Sequence, residues 1–346
     1  SMIIMNSKKL QMGEIVRGPS QISIDVTYKC NFRCKHCYNA SGGDNCFMDN
    51  ELTDDELLEL TKDICNLKPY NICFCGGETL LRKKIVLSCA TLLKEAGIPN
   101  IAIVTNGSLV TQDVAKELFK AGINRFQVSL DGKNASSHEA LRLYPNSFEK
   151  AINAIKLFRE LSEEVDVAFC PTSFNYNQLR EVYQLVNTLK VKSLRIQPFM
   201  LSGRGMQNRE IVPTVSQYRK LVSDINYIKR NEDYTKIDWG DPIDHIIRHR
   251  TLLKDFSNFV SIRSDGGLMA SPYLPIQVGN IKCHSLSKYW RAGLYKVFSL
   301  DLVQDIATQV SSIQDMSKEL KKGHIKWLNE DIEIDILDEY KHDILI

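Results

Sequence analysis

Between residues 21 and 229 short β-branched runs alternate with longer segments of helical period, and this alternation constrains the fold more than any other feature. Strands are predicted at 21–28 (QISIDVTY), 71–75 (NICFC), 101–105 (IAIVT), 125–130 (RFQVSL), 165–169 (VDVAF) and 193–199 (SLRIQPF). Helices are predicted at 52–67, capped by Thr53 with Glu56 three positions on, and at 80–97, closed by Gly97. Further helices are predicted at 111–121, 147–161, 176–190 and 214–229. Six β/α units in a row mean a parallel sheet with helices outside, because parallel neighbours need crossovers that are usually helical and right-handed.

A chain of 346 residues buries one large domain or two, since single cores rarely grow past about 250 to 300 residues. The net charge of +2 gives no bias toward nucleic acid or anionic membranes. Basic runs such as Arg82-Lys83-Lys84 and Lys318 to Lys326 are short and read as solvated helix faces. No apolar run approaches the roughly 20 residues that span a bilayer, and the N-terminus has no signal-peptide pattern, so the expected location is cytoplasmic. Ser1-Met2 ahead of Ile3 read as an expression scar and stay outside the fold reasoning.

In open or closed parallel barrels the chemistry gathers at the C-terminal ends of the strands. There this chain places Cys30, Cys34 and Cys37 after strand one, Gly76-Gly77-Glu78 after strand two and Asn106-Gly107 after strand three. Ser129 to Gly132 follow strand four and Gly203-Arg204-Gly205 strand six. Each loop alone is an ordinary turn; five on one rim mark a site. Ten cysteines without a secretory signal argue for ligands over a disulfide framework. Structural zinc generally takes four protein ligands, often as two C-x2-C knuckles, and no second knuckle exists here. A three-thiolate iron-sulfur cube would leave one iron open, as catalytic metal sites do.

The spacing C-x3-C-x2-C of Cys30, Cys34 and Cys37 resembles the signature of the radical S-adenosylmethionine (radical SAM) superfamily. Gly76-Gly77-Glu78 resembles that family's GGE motif, Val104 to Gly107 its third-strand TNG, Ser129 to Gly132 its fourth-strand SLDG, and Gly203-Arg204 the GR after strand six. The resemblance covers about residues 18 to 225. It implies one 4Fe-4S cluster held by the three cysteines, with S-adenosylmethionine chelating the fourth iron and yielding a 5′-deoxyadenosyl radical that abstracts hydrogen from substrate. The implied cofactor contacts are Tyr38, Gly76, Gly77, Glu78, Asn106, Ser129, Asp131, Gln197 and Arg204. Glu78 would meet the methionine amine, and Ser129 and Asp131 the ribose hydroxyls. Thr79 stands where the family commonly has Pro, and His36 is expected only to cover the cluster. The expected fold class is α/β, a partial (β/α)6 TIM-like barrel with a small α+β C-terminal cap. Its parts are an N-terminal extension (1–17), the barrel (18–230) and a C-terminal region (231–346).

From Phe259 the pattern changes to a hairpin around Asp265-Gly266 followed by Gly279-Asn280-Ile281 and Trp290. This resembles the opening of a SPASM or Twitch extension over roughly 255 to 295, degenerate because Ser271-Pro272 stand where the first cluster ligand is expected. The tail DIEIDIL either docks as a strand or lies loose. Cys65, Cys73, Cys75 and Cys89 read as small buried apolar residues, and Cys46 as a dispensable loop residue. Cys170, at the rim after strand five, and Cys283 are the candidate catalytic hydrogen donors. SPASM-type relatives act mostly on peptides, so the expected substrate is a ribosomal precursor peptide, cross-linked or epimerised. The alternatives are a small molecule (sugar or alcohol dehydrogenation, or tetrapyrrole processing) and a non-catalytic iron-sulfur carrier. An electron donor such as flavodoxin or ferredoxin is implied. About twenty residues precede strand one, too few for a fused leader-recognition domain, so a leader would be read by the cap or by a separate leader-peptide-binding protein.

Overall fold

The structure, a computed structural model, describes residues 16–43, 49–317 and 332–338. The expectations for residues 1–15, for Cys46, for the basic run from Lys318 to Lys326 and for the last residues of the tail fall outside these. The six expected strands all form: β1 (Gln21–Asp25), β2 (Asn71–Cys75), β3 (Asn100–Thr105), β4 (Arg125–Ser129), β5 (Val165–Phe169) and β6 (Ser193–Ile196). They lie side by side in that order, every neighbouring pair parallel.

The intervening helices are α1 (Asp54–Leu67), α2 (Lys83–Glu95), α3 (Gln112–Ala121), α4 (Ala135–Arg142), α5 (Ser147–Arg159), α6 (Leu179–Thr188) and α7 (Val215–Arg230). The Thr53/Glu56 capping box read from the sequence starts α1. Strand alternation puts Ile24, Ile72, Phe74, Ile103, Phe126 and Val128 into the apolar layer, all fully buried. The opposite face of the same strands carries Ser23, Asp25, Cys73, Cys75, Gln127 and Ser129, so the barrel interior is polar. Arg82 is not the solvated residue its basic run suggested: its guanidinium donates to Val26 O (2.9 Å) and Leu52 O (2.8 Å), tying the start of α1 to the end of β1.

Several elements lie outside the sequence reading, α4 and β7 among them. Helix α4 is short, and β7 (Lys236–Trp239), parallel to β6, is four residues long, too few for a period to register. After α8 (Pro242–Thr251) the chain returns to the far edge of the sheet, where β8 (Phe259–Ile262) pairs parallel with β1. The hairpin at Asp265-Gly266 then forms as expected, β9 (Gly267–Met269) running antiparallel to β8 and β10 (Ile276–Asn280) antiparallel to β9. The tail docks rather than lies loose, β11 (Ile332–Glu333) pairing parallel with β10. The described strands thus make one open sheet of eleven, with β7 and β11 at its edges. Helices α9 (Leu286–Ala292) and α10 (Asp301–Ala307) complete the described chain. Among the described residues no helix is long and apolar enough to cross a membrane.

Candidate active site

The loop after β1 is built backbone first. Gly77 N–H donates to Thr27 O (2.7 Å) and Glu78 N–H to Lys29 O (2.9 Å), so the loop after β2 zips onto the start of the cysteine loop. That approach needs both glycines: a Cβ on Gly76 would sit 2.4 Å from Thr27 O, and one on Gly77 2.2 Å from Lys29 O. From the other side the segment after β6 clasps the loop. Arg204 N–H donates to Cys37 O (3.0 Å), and its guanidinium to Cys34 O (2.9 Å) and Ser41 O (2.8 Å). Ser202 Oγ reaches Tyr38 O (3.2 Å), and Asn208 Nδ2 reaches Lys35 O (3.2 Å). Gly203 at φ +55 lets the two backbones touch.

Cys30, Cys34 and Cys37 line one cavity at the C-terminal ends of the strands. Each sulfur accepts one N–H: Cys30 from Phe32 N (3.4 Å), Cys37 from Ser41 N (3.4 Å), Cys34 from the Arg142 guanidinium (3.7 Å). Among the described residues no three His, Cys, Asp or Glu side chains converge as ligands of a single ion. Three thiols lining one cavity fit a cluster, whose thiolates sit on different irons. Burial pushes the metal-free Cys30 thiol up to about 12 and raises Cys34 as well, so ligation must displace protons. His36, on the same cavity, has a buried Nδ1 with no hydrogen-bond partner among the described residues. Thiols in this number, each with a donor at its sulfur, and an orphaned polar atom beside them fit a 4Fe-4S cluster with a polar ligand.

The sequence-assigned contacts divide into two groups. Tyr38, Gly76, Gly77, Asn106, Ser129, Asp131, Gln197 and Arg204 all line the cavity. Glu78 does not: its carboxylate turns into the protein and accepts from Thr105 Oγ1 (2.7 Å), Asn106 N (2.8 Å) and Leu80 N (3.1 Å). These donors at the ends of β3 and of the turn before α2 would otherwise be orphaned, so Glu78 fixes the loops and leaves the cavity wall to the glycine backbone. Asp131 is spoken for in the same way. Its oxygens take Arg142 Nε (2.6 Å), Cys170 N (2.9 Å) and His36 Nε2 (3.1 Å). Burial alone would lift its carboxyl, and Arg142 and His36 outweigh that, holding it well below the usual carboxylate range. Arg204 is chiefly the loop staple described above.

Arg142 is the residue the sequence reading missed. It ends α4, pairs with Asp131, touches Cys34 Sγ and lines the cavity, putting a fixed cation beside the thiols where a cofactor carboxylate fits. Its signal was the capping Asn134 ahead of an Ala/Glu/Leu/Arg stretch, the Asn134 side chain accepting from Ser137 N (3.1 Å).

Of the candidate hydrogen donors, Cys170 lines the cavity. Cys283 does not. It is exposed in a separate groove between α1 and the start of α9, because the turn after β10 points away from the strand ends. From the C-terminal region Tyr273 and Pro242 reach the cavity wall.

A family model described as the radical SAM superfamily matches residues 24–186, which carry the three thiols, both glycines, Arg142 and Cys170. The AdoMet-dependent heme synthase of Methanosarcina barkeri is 23% identical over 296 residues, 80% of this chain and 83% of that protein. Among solved structures, Streptococcus suis SuiB bound to its precursor peptide SuiA shares the fold at a TM-score of 0.63 and 16% identity, covering 86% of this chain and 68% of that one. So does anSMEcpe with bound AdoMet and a Kp18Cys peptide, at a TM-score of 0.62, 17% identity and coverage of 94% and 98%. The motif-bearing loops, the partial parallel barrel and the family match agree: residues 24–186 are a radical SAM domain, and the chain is a radical SAM enzyme, of a family that uses a 4Fe-4S cluster and S-adenosylmethionine.

Proposed function

We propose that this radical SAM enzyme acts on a peptide, taking hydrogen from an α-carbon and returning one from the opposite side, an epimerisation; cross-linking would share the first half of that reaction. The observation that carries this reading is a cavity lined both by Cys30, Cys34 and Cys37 and by a further thiol, Cys170. Burial raises Cys170 well above the ordinary thiol range, so it stays protonated and holds a transferable hydrogen. The likeness to SuiB with SuiA and to anSMEcpe with a peptide supports a peptide as occupant.

With cluster and S-adenosylmethionine bound, the cofactors supply one electron to a sulfonium and hence a 5′-deoxyadenosyl radical. The protein's own residues do the rest. Cys30, Cys34 and Cys37 hold the cluster; the Gly76-Gly77 backbone and Arg142 fit the amino and carboxylate ends of the methionyl group; Asn106, Ser129 and Gln197 offer polar contacts along the cavity. Asp131 and Glu78 act as positioning residues, Asp131 by orienting Arg142 and Glu78 by fixing the loops. Tyr38, Pro242 and Tyr273 narrow the mouth and exclude water.

The test is anaerobic turnover of the reconstituted enzyme with short peptides encoded beside its gene, in deuterated water. 5′-Deoxyadenosine release together with one deuterium per modified peptide residue is expected; release without deuterium in the peptide sinks epimerisation. A second reading, tetrapyrrole processing, is favoured by the near full-length match to the Methanosarcina heme synthase. Turnover of an iron tetrapyrrole with no peptide turned over would establish it instead.

A further inference from the structure

Arg82, Arg142, Arg204 and Arg263 each spend their guanidinium on carbonyl oxygens or side-chain acceptors of the protein. Arg195 does not. It forms no ion pair or hydrogen bond among the described residues, and its Nε is buried. On β6 it alternates with Leu194 and Ile196, which fill the apolar layer, so it shares the inward face with Gln197, one pleat above. Across the ladder it is in register with Ala168, and Ala168 and Gln197 both line the cavity. Gly240, just after β7, lets the guanidinium lie close: a Cβ there would sit 2.5 Å from Nε and 2.9 Å from Nη2. The Arg195 charge also reaches Tyr273 of the cavity wall, opposing the rise that burial gives its phenol. Asp238, the register partner on β7, forms no ion pair with it. A second donor in this part of the barrel, Tyr218 Oη of α7, is buried near Cys170 with no hydrogen-bond partner among the described residues.

A guanidinium presents its N–H donors as a flat fork that matches a carboxylate. Leaving that fork and its charge unmatched inside a protein is costly, and such a group calls for a partner from outside the chain. We propose that Arg195 binds a carboxylate carried by the substrate and so fixes how the substrate lies in the cavity. The proposal rests on the cavity being the substrate site, as above, and adds the chemical group through which the substrate is recognised. Two arginines then serve two carboxylates. Arg142, tied to Asp131 and to Cys34 Sγ, suits the methionyl carboxylate of the cofactor, and Arg195, with no acceptor of its own, suits the substrate's. An acidic side chain or the C-terminus of a peptide would supply that group, and so would a propionate of a tetrapyrrole. The guanidinium accepts either, and the experiment tells them apart.

Binding is measured by calorimetry on the anaerobically reconstituted holoenzyme with S-adenosylmethionine and no reductant, so that nothing turns over. One pair of ligands is an acidic peptide encoded beside the gene and the same peptide with its carboxylates converted to amides. The other pair is an iron tetrapyrrole with free propionates and its propionamide. The wild type should bind the acid of one pair about 10- to 100-fold more tightly than the amide, the range of a charge-assisted hydrogen bond. Arg195→Met, neutral and of similar length, should erase that preference while leaving the affinity for the amide unchanged, and Arg195→Lys should keep part of it. The ligand-free Arg195→Met protein should melt no lower than the wild type, because an unmatched charge has been removed. A lower melting temperature with the preference for the acid intact shows a structural role and overturns the proposal. A preference that neither variant alters overturns it too, as does a wild type that binds neither acid better than its amide. Preference within the tetrapyrrole pair alone, lost in Arg195→Met, keeps the Arg195 assignment and removes the peptide reading. Peptide binding whose preference both variants retain does the reverse.

Discussion

The strands that flank the cysteine loop and those of the C-terminal extension differ in what they bury. β1, β2 and β4 bury one face and turn Asp25, Cys75 and Ser129 toward the cavity, whereas β9 and most of β10 are buried on both faces. Around the extension the core is aromatic: Trp290, Tyr289 and Phe298 are at most 1% exposed, and Trp290 Nε1–H donates to Val16 O (3.2 Å), ahead of β1. The one cysteine of the extension among the described residues, Cys283, is exposed and off the cavity. What it contributes is β8, which occupies the edge of β1 that β2 leaves free. The strand from which the thiols emerge is therefore hydrogen-bonded on both sides, and the loop's ligand geometry rests on a rigid base. One region lines most of the cavity, and the other pairs with the strand that leads into the cysteine loop.

The sharpest way to break this division is by cysteine. Cys34→Ser should abolish the iron-sulfur absorbance near the visible and all release of 5′-deoxyadenosine, while Cys283→Ser leaves both as they are; a Cys34 variant with full iron and turnover would overturn the site. Next comes Trp290→Ala, which removes the largest fully buried side chain of the extension and should cost about 3–5 kcal/mol of stability. If the extension buttresses β1, denaturant unfolding stays a single transition displaced to lower midpoint; a separate early transition, with the cluster retained through it, would show the two regions to be independent. Gly77→Ala forces a Cβ to within 2.2 Å of Lys29 O and should cost about 1–3 kcal/mol while weakening S-adenosylmethionine binding, read by calorimetry.

A smaller effect distinguishes the regions by pH. His245 and His249 stack at 3.9 Å on α8, and burial holds His245 down to about 3. A histidine whose folded value is depressed stabilises the fold in its neutral form. That contribution is complete above the ordinary histidine value of about 6.5 and is lost as pH falls from there toward about 3. Melting temperature should therefore drop on acidification, and His245→Phe should flatten the drop over this range. The smallest change belongs to the barrel: Thr53→Ala removes the α1 cap and should cost about 1 kcal/mol, seen as a modest fall in melting temperature.

What could be read from the residues, and what could not, follows the range of the interactions involved. The strand and helix alternation, the Thr53 cap and the hairpin at Asp265-Gly266 depend on neighbours in sequence, and the fold shows them where the sequence put them. The placing of Cys30, Cys34, Cys37, Gly76 and Gly77 on one rim also followed, because parallel β/α units deliver their loops to the same end. Side-chain direction at the loops did not follow. Glu78 and Asp131 look like ligand contacts as letters, yet each is claimed by donors 27 to 28 and 11 residues away respectively, at Thr105, Asn106 and Arg142.

Periodicity and spacing along the chain directly encode the α/β class, the run of six parallel β/α units and the grouping of Cys30, Cys34 and Cys37 in the loop after the first strand. Only the tertiary structure decided that β8 lies against β1, that Arg142 stands beside Cys34, that Cys283 is remote and that Cys73 and Cys75 touch inside the barrel. The reason is physical: these depend on which buried donors and acceptors find one another across long stretches of chain, and an unsatisfied polar group in a core costs too much for the nearest motif to dictate the answer.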